Sequence, residues 1–134
     1  MSLAALPLTV IPLILYNILV LLGIDLNASL VGEGIRMMSG GLWKLTWGDL
    51  IILAALVILF VEIVKATYTG TASMIDHGLS MVVFIVSLVQ FLIVPQAATS
   101  VFFIVMMACL IDVVAGFTIG IRVAKRDIGF GADS

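Results

Sequence analysis

Residues 99–123, TSVFFIVMMACLIDVVAGFTIGIRV, carry a single charged side chain, Asp112, ahead of Arg122. At about 1.5 Å per residue, about 20 apolar residues in a helix cover a hydrocarbon layer of about 30 Å, so this stretch predicts a transmembrane helix. Arg122, Lys125 and Arg126 close it, where positive charge suits both the C-terminal pole of a helix dipole and a layer of lipid headgroups.

The chain around this run has the same character. Hydrophobic residues make up 63% and charged residues 10%, with a mean hydropathy of +1.36. A soluble domain carries about 25% charged residues, and this sequence could not cover such a surface. Three further apolar runs are predicted as spans. The first covers about 7–23, starting at Pro7 and bending at Pro12. It has no basic residues ahead of it and no small-residue cleavage pattern after it, so it is read as a retained span and not as a secretory signal. The second covers about 49–67, with Gly70 as its stop. The third covers about 74–94, announced by a capping-box pattern of Ser73 and Asp76 and closed by Pro95.

The fold class expected is therefore an all-α integral membrane protein, a single domain of four transmembrane helices in a compact antiparallel bundle. The connections between spans two and three and between three and four are short, as neighbouring antiparallel helices require. Residues 24–48 form a longer linker. Within it Leu30, Val31, Ile35 and Met38 recur at helical spacing and predict a short interfacial helix, kept short by Gly32, Gly34, Gly40 and Gly41. Trp43 and Trp47, one helical turn apart, and Tyr68 are expected as headgroup anchors together with Arg122, Lys125 and Arg126. Four spans place Lys65, Arg122, Lys125 and Arg126 on one side against Arg36 and Lys44 on the other. That excess puts both termini and a tail of residues 124–134 in the cytoplasm, the linker outside, and the chain in a bacterial inner membrane.

Several function classes are excluded at this level. A formal net charge of -2 leaves no basic surface for nucleic acid. Cys109 is the only cysteine, so no internal disulfide or CxxC metal site exists, and it is read as an apolar filler. No hydrolase, P-loop or dinucleotide motif is present, so no catalytic residue, cofactor or metal is expected. Phe84, Phe91, Phe102 and Phe103 could frame a lipid or quinone pocket but suit plain packing better.

The polar residues inside the spans carry what remains. Asp112 lies roughly 15 Å from Arg122 along the helix, near the midplane, where an acid is costly and functional by default. Ala108, Asp112, Gly116 and Gly120 share one stripe at i+4 spacing, a face of small residues suited to close helix approach. On span three, Ser80, Ser87 and Gln90 continue a seam from Asp76, and span one offers Asn17. These residues are expected to form helix interfaces, with a neutral Asp112 donating to Asn17, Gln90 or a backbone carbonyl. Glu62 is expected in an interfacial pair with Lys65, and His77 at headgroup level. Two functions follow as expectations. One is non-catalytic helix–helix association, as a homo-oligomer or an accessory subunit of a larger membrane complex. The other is a small proton- or cation-linked transporter or channel component using Asp112, with Glu62 as relay.

Overall fold

The computed structural model describes residues 6–68 and 71–133. Four α-helices dominate: α1 Val10–Leu21, α2 Trp47–Lys65, α3 Thr71–Ile93 and α4 Ser100–Asp133, with two short strands, β1 Ile35–Arg36 and β2 Leu42–Trp43, between α1 and α2. Three segments, Trp47–Lys65, Met74–Ile93 and Ser100–Val123, are long and apolar enough to cross a membrane. The chain is consistent with an integral membrane protein on that ground.

α1 is shorter than its apolar run. Pro7 to Thr9 form a turn, and the helix starts at Val10, so Pro12 falls in the first turn, where no intrahelical partner exists for its missing N–H. The expected bend at Pro12 is therefore replaced by a helix start. At the other end Gly23 takes φ +77°, and the amides of Gly23 and Ile24 bond back to the carbonyls of Val20 and Leu19, a Schellman closure that ends the helix where the sequence suggested.

The linker holds no helix. Ile35 and Arg36 pair antiparallel with Trp43 and Leu42, and the chain reverses through Met37–Gly41. Gly32, Gly34 and Gly40 all adopt positive φ, which a right-handed helix does not allow, and a Cβ on Gly34 would come within 2.8 Å of the Trp43 carbonyl. The helical spacing of Leu30, Val31, Ile35 and Met38 is thus overridden by the glycines between them. Trp43 in consequence sits on a strand and Trp47 on the first turn of α2, not one turn apart on one helix. Trp43 is exposed, whereas Trp47 packs on the core.

Helix starts follow local chemistry. Thr46 and Asp49 make a capping box, each side chain taking the other's backbone amide at 3.1 Å, which sets the start of α2 at Trp47. The box expected at Ser73 and Asp76 is not the start of α3: that helix already begins at Thr71, Asp76 turns to Lys65, and the Ser73 side chain and the Gly70 stop lie outside the described residues. α3 ends at Ile93 because Val94, extended ahead of Pro95, cannot continue a helix. Thr99 then caps α4, its hydroxyl accepting from the Phe102 amide. α4, expected to end as a span near Val123, runs on to Asp133, so residues 124–133 of the expected tail continue the helix.

α4 is the centre of the molecule, packed on both α2 and α3. Its inward stripe of Phe102, Val105 and Ala108 forms one core with Ile51 and Ala55 of α2 and Leu13, Tyr16 and Leu19 of α1, and Cys109 and Val113 are buried alongside. Tyr16 and Phe102 meet edge to face at 5.0 Å, and Phe91 stacks on Phe102 at 6.2 Å and tilts onto Phe103 at 5.6 Å. These rings pack against one another within the bundle. The outward faces, such as Leu53, Val57 and Phe60 or Val82, Val86 and Val89, are exposed and apolar, a surface suited to lipid contact.

Candidate functional site

Asp112 projects from the inward stripe of α4 and is 3% exposed; its Oδ2 has no hydrogen-bond partner. The elements around it supply an enclosed acidic cluster. α2 contributes Glu62, buried one turn before its end, and Lys65. α3 contributes Asp76, His77 and Ser80, all buried. The segment leading into α1 contributes backbone groups: the Leu8 amide donates to Glu62 Oε1 at 2.7 Å, and the Leu6 carbonyl accepts from Lys65 Nζ at 2.5 Å.

Lys65 organises the cluster. Its ammonium has three N–H bonds. They go to the Leu6 carbonyl, to Glu62 Oε1 at 3.1 Å and to Asp76 Oδ1 at 3.2 Å. Nothing remains for Asp112 or for Glu62 Oε2, which is also buried without a partner. Both carboxyls nevertheless lie in each other's field, with Asp76 and Lys65 close by. Three carboxylates against one ammonium leave two negative charges uncompensated in an enclosed site. Protons or bound cations must offset such charge, because burying it bare costs far more than its contacts return.

His77 closes one side. Its Nδ1 lies 3.9 Å from Asp76 Oδ2, its Nε2 is buried and unpartnered, and its ring rests against Gly116 and Gly120 beside Phe117. A Cβ on Gly116 would approach His77 Nδ1 to 2.9 Å. The small-residue stripe of Ala108, Asp112, Gly116 and Gly120 therefore receives a side chain of its own chain. Among the described residues no three His, Cys, Asp or Glu side chains converge as a metal site requires.

A second polar group lies at the other end. Gln90 Nε2 donates to Asn17 Oδ1 at 2.5 Å and Asn17 Nδ2 returns a longer bond of 3.4 Å, while Tyr16 Oη donates to the Gln96 carbonyl at 2.7 Å and shares a bond with Thr99 Oγ1 at 2.8 Å. A groove of about 320 Å³ opens among Tyr16, Asn17, Gln90, Val94 and Gln96. Between the two ends, Ser87 is fully buried and donates to the Phe84 carbonyl at 2.7 Å.

Expectation and structure part at specific residues. Asn17 and Gln90 pair with each other, so neither is the partner expected for Asp112. Glu62 and Lys65 do pair, but inside the bundle instead of at an interface, and His77 is 8% exposed instead of lying among headgroups. Tyr68, Arg122 and Lys125 are exposed, and the Arg126 side chain lies outside the described residues. Thr9, buried with an unpartnered hydroxyl, drew no attention in the sequence. Compared with protein-family models, curated proteins and solved structures, the chain matches none.

Proposed function

We propose that the protein is a four-span component of a proton- or cation-linked membrane process, with Asp112 as its exchangeable site and Glu62 as relay. The observation that carries this reading is the full commitment of Lys65 to Leu6, Glu62 and Asp76, which leaves Asp112 buried beside other acids with no counter-charge of its own. The Asp112 Oδ2 is left free, as exchange needs, while the Ser80 hydroxyl lies beside the carboxyl. α1 counts as a span in this reading because it is tied at both levels of the bundle, Leu8 to Glu62 and Asn17 to Gln90. The helices then form an antiparallel bundle with both termini in the cytoplasm of a bacterial inner membrane. Proton flux into liposomes holding the purified chain tests the proposal. The native protein should exceed Asp112→Asn at least ten-fold, and equal flux in the two removes the reading.

A second reading, assembly with further copies or as an accessory subunit, draws support from α1. Its 12 residues reach about 18 Å, short of a hydrocarbon layer of about 30 Å, and such a mismatch is relieved by thinning the bilayer or by oligomerising. Mass measurement on gently extracted particles decides it: a strictly monomeric particle without a co-purifying chain counts against assembly.

A further inference from the structure

Between the acidic cluster and the groove, polar groups from three segments stand on successive turns. Asp76 and Ser80 face the interior of α3, and the Ser80 hydroxyl faces the Asp112 carboxyl. One turn back along α4, Cys109 is 1% exposed and lies beside Asp112, within reach of Thr9 and Ser87. Ser87 is one turn from Gln90, whose amide meets Asn17 at the groove. Val83 and Phe84 interrupt this seam on α3, and Asp112 and Cys109 of α4 span the interruption. Two atoms midway, Thr9 Oγ1 and Asp112 Oδ2, are buried and unpartnered. Packing alone does not account for them, since an unbonded hydroxyl in a dry interface weakens it.

We propose that this file is a proton route, leading from Glu62, Asp76 and the partly exposed Lys65 of the acidic cluster through Asp112 to the groove, its port beside the turn between α3 and α4. The proposal rests on the reading of Asp112 as an exchangeable site and adds the ion and the path. A hydroxyl or thiol accepts a proton on a lone pair and releases its own onward. In each step one O–H or S–H bond forms as another breaks, no electrons change hands, and the net result is one positive charge moved. Among the described residues no three His, Cys, Asp or Glu side chains converge on one point, as a transition-metal ion would require. Ser80 and Ser87 donate at rest to the carbonyls of Asp76 and Phe84 on their own helix, so relay requires each to rotate about χ1 into the file. The groove has volume for several waters that would carry the proton onward. The titratable groups facing the route are Glu62 and Lys65 of α2, Asp76 and His77 of α3, and Cys109 and Asp112 of α4, with Tyr16 of α1 at the port.

Liposomes holding the full chain and a trapped pH dye, driven by a potassium diffusion potential, provide the test. Thr9→Val with Ser87→Ala keeps side-chain volume nearly constant and removes two hydroxyls; it should lower proton flux at least ten-fold. Val86→Ala, on the exposed outward face of α3, should stay within about two-fold of the native protein. Gln90→Leu, at the half-buried rim, should also lower flux and tests the port without altering the interior. Thermal unfolding in detergent confirms that each variant is folded. Native flux in the double variant and in Gln90→Leu, with flux lost in Asp112→Asn, overturns the route and leaves the exchange site standing. Undiminished flux in Asp112→Asn overturns both. Sodium uptake driven by the same potential would overturn the proton as the carried ion.

Discussion

Lys65 and Asp112 are opposites in one small volume: one has every donor used, the other has an oxygen with nothing to bind. Lys65→Met should therefore be damaging, because Glu62 and Asp76 lose their shared cation while remaining buried. A loss of about 3 kcal/mol or more is expected in detergent unfolding. Asp112→Leu should behave differently. Helix-adhesion logic applied to the sequence predicts a loss of roughly 1 to 3 kcal/mol through an orphaned partner. With Oδ2 unpartnered and the side chain enclosed, the structure instead predicts a stability within about 1 kcal/mol of native, or slightly above it, alongside lost proton flux. A large drop in unfolding temperature would show that Asp112 is a packing bond after all. That Asp112 interrupts an apolar helix was legible from its run. Its company was not, since Glu62, Asp76 and His77 were read as boundary residues from distance along their own helices. The short connection between α2 and α3 is the signal that brings Lys65 and Asp76 to one level.

At the scale of elements, glycines on one molecule should answer differently to the same change. Gly116→Ala drives a methyl to within 2.9 Å of His77 Nδ1, and the enclosed ring has little room to yield, so a loss of about 1 to 3 kcal/mol is expected. Gly78→Ala meets nothing within 4 Å and should raise stability by up to about 1 kcal/mol through helix propensity. Both are read from unfolding midpoints, and equal effects would refute the contact. Thr46→Ala should cost about 1 kcal/mol by removing the capping box that starts α2. Two sequences offered such a box, T-W-G-D at 46–49 and S-M-I-D at 73–76. Only the second was expected as a helix start, and the chain uses the first. Local pattern could not separate them, because the choice turned on Lys65, a residue from another element that claims Asp76. The linker failed for a related reason: apolar spacing was read over glycines whose positive φ decides the backbone.

For the whole molecule, the three longer spans were legible because each is an uninterrupted apolar run, whereas the extent of α1 depended on turn geometry at Pro7–Thr9. The proposed four spans require α1 to cross, which puts Leu6, ahead of it, and the hairpin linker on opposite faces of the membrane. Single cysteines at Leu6 and Ser39, both exposed, should accordingly react with an impermeant maleimide from opposite sides, with buried Cys109 silent. Labelling of both from one side would reduce the count to three. The attachments of α1 also carry a temporal meaning. Leu8 waits for Glu62, 54 residues later; Asn17 waits for Gln90, 73 later; and Tyr16 waits for Thr99, 83 later. α1 is therefore fastened in stages, ahead of its start once α2 has been synthesised and along its length as α3 is completed and α4 begins. During that interval its amide and phenol stand unmatched, and the biosynthetic machinery, not the protein, must shelter them.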